Sequence, residues 1–119
     1  MDYGVKKIVM FVFSGDPVCF MHVLMNALDM FESDYETKIV IEGAATALIP
    51  EPGAESNMLN QLWEKAKNFQ IIDGVCMTCS KKMGTMESVK TQGVALLDDM
   101  EGHPGVARYR DEGFEVIVF

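Results

Sequence analysis

A chain of 119 residues is long enough for one domain, and 49% hydrophobic against 24% charged residues is the balance of a folded chain rather than a disordered one. Ten Lys and Arg against eighteen Asp and Glu leave a formal charge of -8, which argues against a nucleic-acid partner and against docking on an anionic membrane surface. Three cysteines, an odd number, behind an opening without a signal-peptide pattern point away from a disulfide framework and toward a reducing cytoplasm.

The first predicted element covers residues 5–13, where Ile-Val-Met-Phe-Val-Phe reads as a strand buried on both faces, as in a parallel sheet. The run is far short of the roughly 18 apolar residues of a bilayer span. Asp16-Pro17 then starts a helix, Asp as cap and Pro at the first helical position. It runs to about residue 31, with Phe20, Leu24, Ala27, Leu28 and Phe31 at helical spacing. Met21 and Met25 widen its apolar stripe beyond what one sheet face needs, which suggests a second packing partner such as another subunit.

A second strand is expected at 37–41, then a loose stretch over 44–53 with Pro50 and Pro52, then a helix over about 54–68. A third strand at 71–75 runs straight into Cys76-Met77-Thr78-Cys79-Ser80-Lys81-Lys82-Met83-Gly84. Short helices are expected at 78–83 and 86–91, a weak fourth strand at 94–97, a last helix at 104–111 and a final strand at 114–119. Strands alternating with helices predict a single domain over residues 1–119: a three-layer α/β/α sandwich with a mostly parallel five-stranded sheet, in flavodoxin-like order. In that order the loops after the first and third strands lie side by side.

Both loops carry thiols. Cys19 lies in the first turn of the first helix with His22 three residues on, and Cys76 and Cys79 lie where the third strand becomes helix. A thiol at a helix N-terminus has its thiolate stabilised by unpaired amides, and Lys81 and Lys82 add positive potential, so a lowered pKa is expected at Cys76. The opposing reading is a small residue ending a buried strand. Cys-x-x-Cys is equally compatible with a dithiol redox pair or half a zinc site, for which Cys19-x-x-His22 offers the missing ligand types. His103, before Pro104, reads as helping to start the last helix. Phosphate-loop, nucleophile-elbow and His-Glu-x-x-His patterns are lacking in the sequence.

The strand-one opening, Ile39-Val40-Ile41-Glu42-Gly43, the stretch from Val75 to Gly84 and the ending from Gly105 to Phe119 together resemble the DsrE/DsrF-like family of small sulfur-relay proteins. In that family a cysteine after the third strand, eight residues before a Gly, carries sulfur as a persulfide, and the resemblance assigns this role to Cys76, which stands at that spacing from Gly84. Cys79 is then a resolving or assisting thiol. The resemblance also implies the α/β/α sandwich and assembly as trimers or hexamers; protein partners that donate and accept sulfur are expected with it, and no cofactor or metal is expected. Cys19 and His22 fall outside the family pattern.

The sequence-based reading is therefore a cytoplasmic, homo-oligomeric, sulfurtransferase-like carrier that takes sulfane sulfur on Cys76 and passes it to a partner thiol. Whether it turns over as an enzyme stays open. The alternative is a non-catalytic zinc- or ligand-binding module built from Cys19, His22, Cys76 and Cys79. The acidic surface disfavours encounter with free anionic polysulfide, which leans toward a protein donor.

Overall fold

The apolar run near the start of the chain becomes β1, Lys7–Val12, and Ile8 through Val12 are all at most 4% exposed. In this computed structural model, residues 5–53 and 57–119 are described. Asp16 caps α1, Pro17–Glu32, by accepting the Val18 amide at 2.9 Å, with Pro17 at the first helical position. Then follow β2, Glu36–Ile41, and a 3₁₀ helix, Gly43–Leu48, where only a loose stretch was expected. Helix α2, Met58–Asn68, starts at the Asn57 cap; the expected start at residues 54–56 lies outside the described residues.

The chain continues through β3, Ile72–Cys76, α3, Met77–Met83, and α4, Met86–Thr91. It ends with β4, Leu96–Leu97, α5, Ala107–Asp111, and β5, Glu115–Val118. Strand β4 keeps only two residues because the chain is an edge there and turns away at once. Residues 104–106, expected to be helical, precede α5 as non-helical chain.

The sheet is five-stranded and parallel throughout, in the order β4-β3-β2-β1-β5. The α/β sandwich expected from the sequence is thus present, but the flavodoxin-like order is corrected: β1 lies between β2 and β5, not between β2 and β3. Each of the first three connections steps one strand further in the same direction. Right-handed crossovers then put α1 and α2 on one face, where they pack together over Met10, Val12, Ile39 and Ile41, with Trp63 of α2 in the same core. Only the last connection reverses, returning from β4 to the free edge of β1. It carries α5 to the opposite face, where Tyr109 and Phe114 cover Val9, Phe11 and Val40.

This order separates the loops after β1 and β3 by the whole of β2, so the two expected thiol loops are not neighbours. What meets the end of β3 instead is the returning β4–α5 crossover. Gly74 leaves room there for the Leu97 side chain: a Cβ on it would lie 2.5 Å from Leu97 Cγ, so a larger residue would push that side chain aside.

Candidate functional site

Alternation along β3 decides where Cys76 points. Val75 faces the main core with α1 and α2, so Cys76 turns toward the α5 side, and it is fully buried at the carboxyl end of the strand. It is also the cap of α3, its Sγ accepting the Cys79 amide at 3.4 Å. One helical turn then brings the Cys79 thiol, half-buried, back to the same spot.

The third member comes from the crossover. Met100 and His103 exchange two backbone hydrogen bonds, 2.7 and 2.9 Å, around Glu101 (φ +51°) and Gly102 (φ +85°). Two positive φ values in succession make this a mirror-image hairpin turn, a conformation that favours glycine at its second position. The turn is tied to α3 because the Thr78 amide and hydroxyl both donate to the Gly102 carbonyl, at 3.1 and 2.9 Å. A Cβ at Gly102 would stand 2.3 Å from Thr78 Oγ1, so no other residue fits so close.

Held in this way, His103 points Nδ1 at both sulfurs, 3.0 Å from Cys76 Sγ and 3.8 Å from Cys79 Sγ. The ligand atoms of Cys76, Cys79 and His103 all lie within 4.8 Å of one another. Sequence reasoning missed His103, placing it at a helix start. The usable signal was local: Glu-Gly-His-Pro is turn chemistry that ends by presenting a histidine. Cys19 and His22 are not members of this cluster; Cys19 is half-buried, His22 is exposed, and both sit on α1 beyond β2. The four-residue zinc set expected from them is therefore not assembled.

The electrostatics also reverse an expectation. Burial pushes the Cys76 thiol up to about 12, against the lowering effect of the Cys79 amide, and the nearby Cys79 and Glu42 raise it further. Helix α3 has only seven residues, and Lys81 and Lys82 are exposed, so dipole and lysines do not offset the loss of water around the sulfur. Glu42, at the carboxyl end of β2, is itself buried, and desolvation raises its carboxyl. Cys76 thus rests as a protonated thiol beside the imidazole nitrogen.

A polar network anchors the crossover that carries His103. The Arg108 guanidinium donates to Asp99 Oδ2 at 3.1 Å and to the Tyr109 hydroxyl at 2.6 Å, and Tyr109 in turn donates to Asp73 in β3. Lys38 completes it, 3.6 Å from Asp73 Oδ1. Two surface depressions, one lined by Lys6, Ile8, Tyr35 and Gly113, the other by Lys67, Ile72, Gln92 and Val94, lie at the amino ends of the strands. The thiols lie at the carboxyl ends, where ligand chemistry is usual in parallel sheets.

Fold and site together define an α/β-sandwich protein with a Cys-Cys-His cluster at the carboxyl end of its third strand. No protein-family model matches the chain, and no solved structure does. It is 29% identical to an uncharacterized protein of Methanocaldococcus jannaschii over 124 aligned positions, spanning 98% of each chain. It is 36% identical over 56 residues to an uncharacterized protein of Archaeoglobus fulgidus, 47% of this chain and 90% of that one. A second uncharacterized protein of the same organism is 35% identical over 37 residues, 31% of this chain and 100% of that one. The chain belongs to one family with the two Archaeoglobus fulgidus proteins, and the names of all three relatives assign no activity.

Proposed function

We propose that this protein is a sulfur-relay carrier, taking sulfane sulfur on the Cys76–Cys79 pair and handing it to a partner thiol. The observation that carries this reading is the single His103 Nδ1 set against two sulfurs, 3.0 Å from Cys76 and 3.8 Å from Cys79. A buried thiol needs an internal proton acceptor before it can attack, and an imidazole within hydrogen-bond reach is one. The resemblance to the DsrE/DsrF-like proteins assigns the carried sulfur to Cys76. Exposure adds that Cys79 is the sulfur that solvent reaches, so donor contact falls on Cys79 and storage on Cys76.

In the loading step the Cys79 thiolate attacks the outer sulfur of a donor persulfide. A new S–S bond forms on Cys79, the donor S–S bond breaks, and the donor leaves as a thiolate. Cys76, its proton passed to His103, takes the same outer sulfur from Cys79 and leaves Cys79 as thiolate again. An acceptor thiolate reverses the sequence, so no net oxidation occurs and no cofactor is required.

Cytoplasmic location, protein donors and acceptors, and assembly with further copies belong to the same reading. Support for assembly is the exposed apolar surface of Val18 and Met25 on α1 and of Ile117 and Val118 on edge strand β5. Among the described residues no helix is long and apolar enough to cross a membrane.

Mass spectrometry after incubation with polysulfide tests the carrier. Wild type gains sulfur at both Cys76 and Cys79, Cys76→Ser at Cys79 alone, and Cys79→Ser at neither. Sulfur that accumulates only at Cys19, or loading unaffected by either substitution, overturns the proposal.

A further inference from the structure

The same three side chains have the composition and spacing of a cation site. We infer that Cys76, Cys79 and His103 form a three-ligand site for a thiophilic divalent cation, Zn2+, whose occupancy blocks sulfur loading; the blocking clause rests on the function proposed above. Two sulfurs and one imidazole are the donor types that zinc selects. A tetrahedral ion with ordinary zinc–sulfur and zinc–nitrogen bonds separates two sulfurs by about 3.8 Å and a sulfur from a nitrogen by about 3.6 Å. Here the sulfur–nitrogen separations are 3.0 and 3.8 Å and every pair lies within 4.8 Å, so the ion fits after shifts below the length of a bond.

Three features favour a cation beyond the distances. The ligands come from two chain segments already locked together by the Thr78 hydrogen bonds to Gly102, so little ordering remains to be done on binding. Nδ1 is the His103 atom already directed at the sulfurs. No carboxylate among the described residues joins the group, which leaves the fourth tetrahedral position to water or an incoming thiol. Binding converts both thiols to thiolates and releases two protons to solvent, with no change in oxidation state. With both sulfurs coordinated, neither is free to attack a donor persulfide.

The test uses the full chain, reduced and stripped of metal. Titration with Co2+ as a spectroscopic probe is expected to produce thiolate-to-cobalt charge transfer and the visible bands of a tetrahedral ion, both abolished by equimolar Zn2+. Cys79→Ser, at a half-buried position, and His103→Ala lose these bands, while Cys19→Ser and His22→Ala keep them. Absence of thiolate bands in the wild type, their survival in Cys79→Ser, or their loss in Cys19→Ser overturns the site. Polysulfide loading is then read by mass spectrometry with and without Zn2+, and equal loading in both overturns the blocking role. Metal binding by a protein that never loads sulfur removes the proposed function and leaves the site. Loading by a protein that binds no metal does the opposite.

Discussion

The Nδ1 atom of His103 stands 3.0 Å from the Sγ of Cys76. Cys76 is fully buried and its thiol is pushed up to about 12, chiefly by loss of water. Its proton therefore has one neighbouring nitrogen to go to, and the position of that nitrogen depends on a tight turn.

Gly102→Ala is expected to loosen that turn. The added methyl meets Thr78 Oγ1 at 2.3 Å and the backbone stands at φ +85°. We expect a loss of about 1 to 3 kcal/mol, the cost of such strained backbone, read by chemical denaturation. Cys79 alkylation should change at the same time, because the His103 ring moves with the turn.

Alkylation separates the three thiols by pH. Cys76 is buried with its thiol pushed up to about 12, whereas Cys19 and Cys79 are half-buried, so iodoacetamide at neutral pH should modify Cys19 and Cys79 well before Cys76. The Cys76 rate should climb about tenfold per pH unit from neutrality to beyond pH 10. Peptide mapping of a time course checks this, and early labelling at Cys76 would contradict the burial argument.

Glu42→Gln should stabilise the protein in a pH-dependent way. Burial raises the Glu42 carboxyl above its ordinary 4.5, so the folded state favours the protonated form. Its stability is complete below the ordinary value and is lost as pH rises through the raised one. Wild type and variant should therefore match near pH 4 and diverge as pH increases, with the variant more stable at pH 7. Thermal melts across that range give the comparison.

The Asp99–Arg108 pair has the opposite sign. Burial alone would raise the Asp99 carboxyl, but the Arg108 guanidinium at 3.1 Å and the Gly105 amide at 3.5 Å outweigh it and hold the carboxyl below 3.8. This contribution is present above pH 3.8 and is lost as pH falls through the lower folded value. Asp99→Asn should be less stable than wild type at pH 7, by a modest amount because the pair is partly exposed, and the gap should close on acidification.

Tyr109→Phe removes the hydroxyl that donates to Asp73 while keeping the ring between Phe11 and Phe114. A hydrogen bond to a charged group contributes about 1.5 to 3 kcal/mol, and we expect a denaturation loss of that order. Retention of cobalt binding by this variant would show that the network holds the fold without tuning the site.

Local chemistry in the chain determined the elements. The six apolar residues from Ile8 to Phe13, Asp16-Pro17 and the helical spacing of Phe20, Leu24, Ala27 and Leu28 each act within a few residues, and each produced the element expected. The strand-to-helix step at Cys76 was equally legible, and it placed Cys79 one turn behind Cys76. Tertiary structure alone decided the rest. Strand order depends on how each crossover steps across the sheet: the β2–β3 step carried the thiol pair past β2 and away from Cys19 and His22, and the last crossover, packing Tyr109 and Phe114 against Val9, Phe11 and Val40, brought in His103 from 27 residues away. The charge state of Cys76 was likewise out of reach of local reasoning. Helix-end amides next to a sulfur lower its pKa and burial raises it, and only the packed structure shows that burial wins.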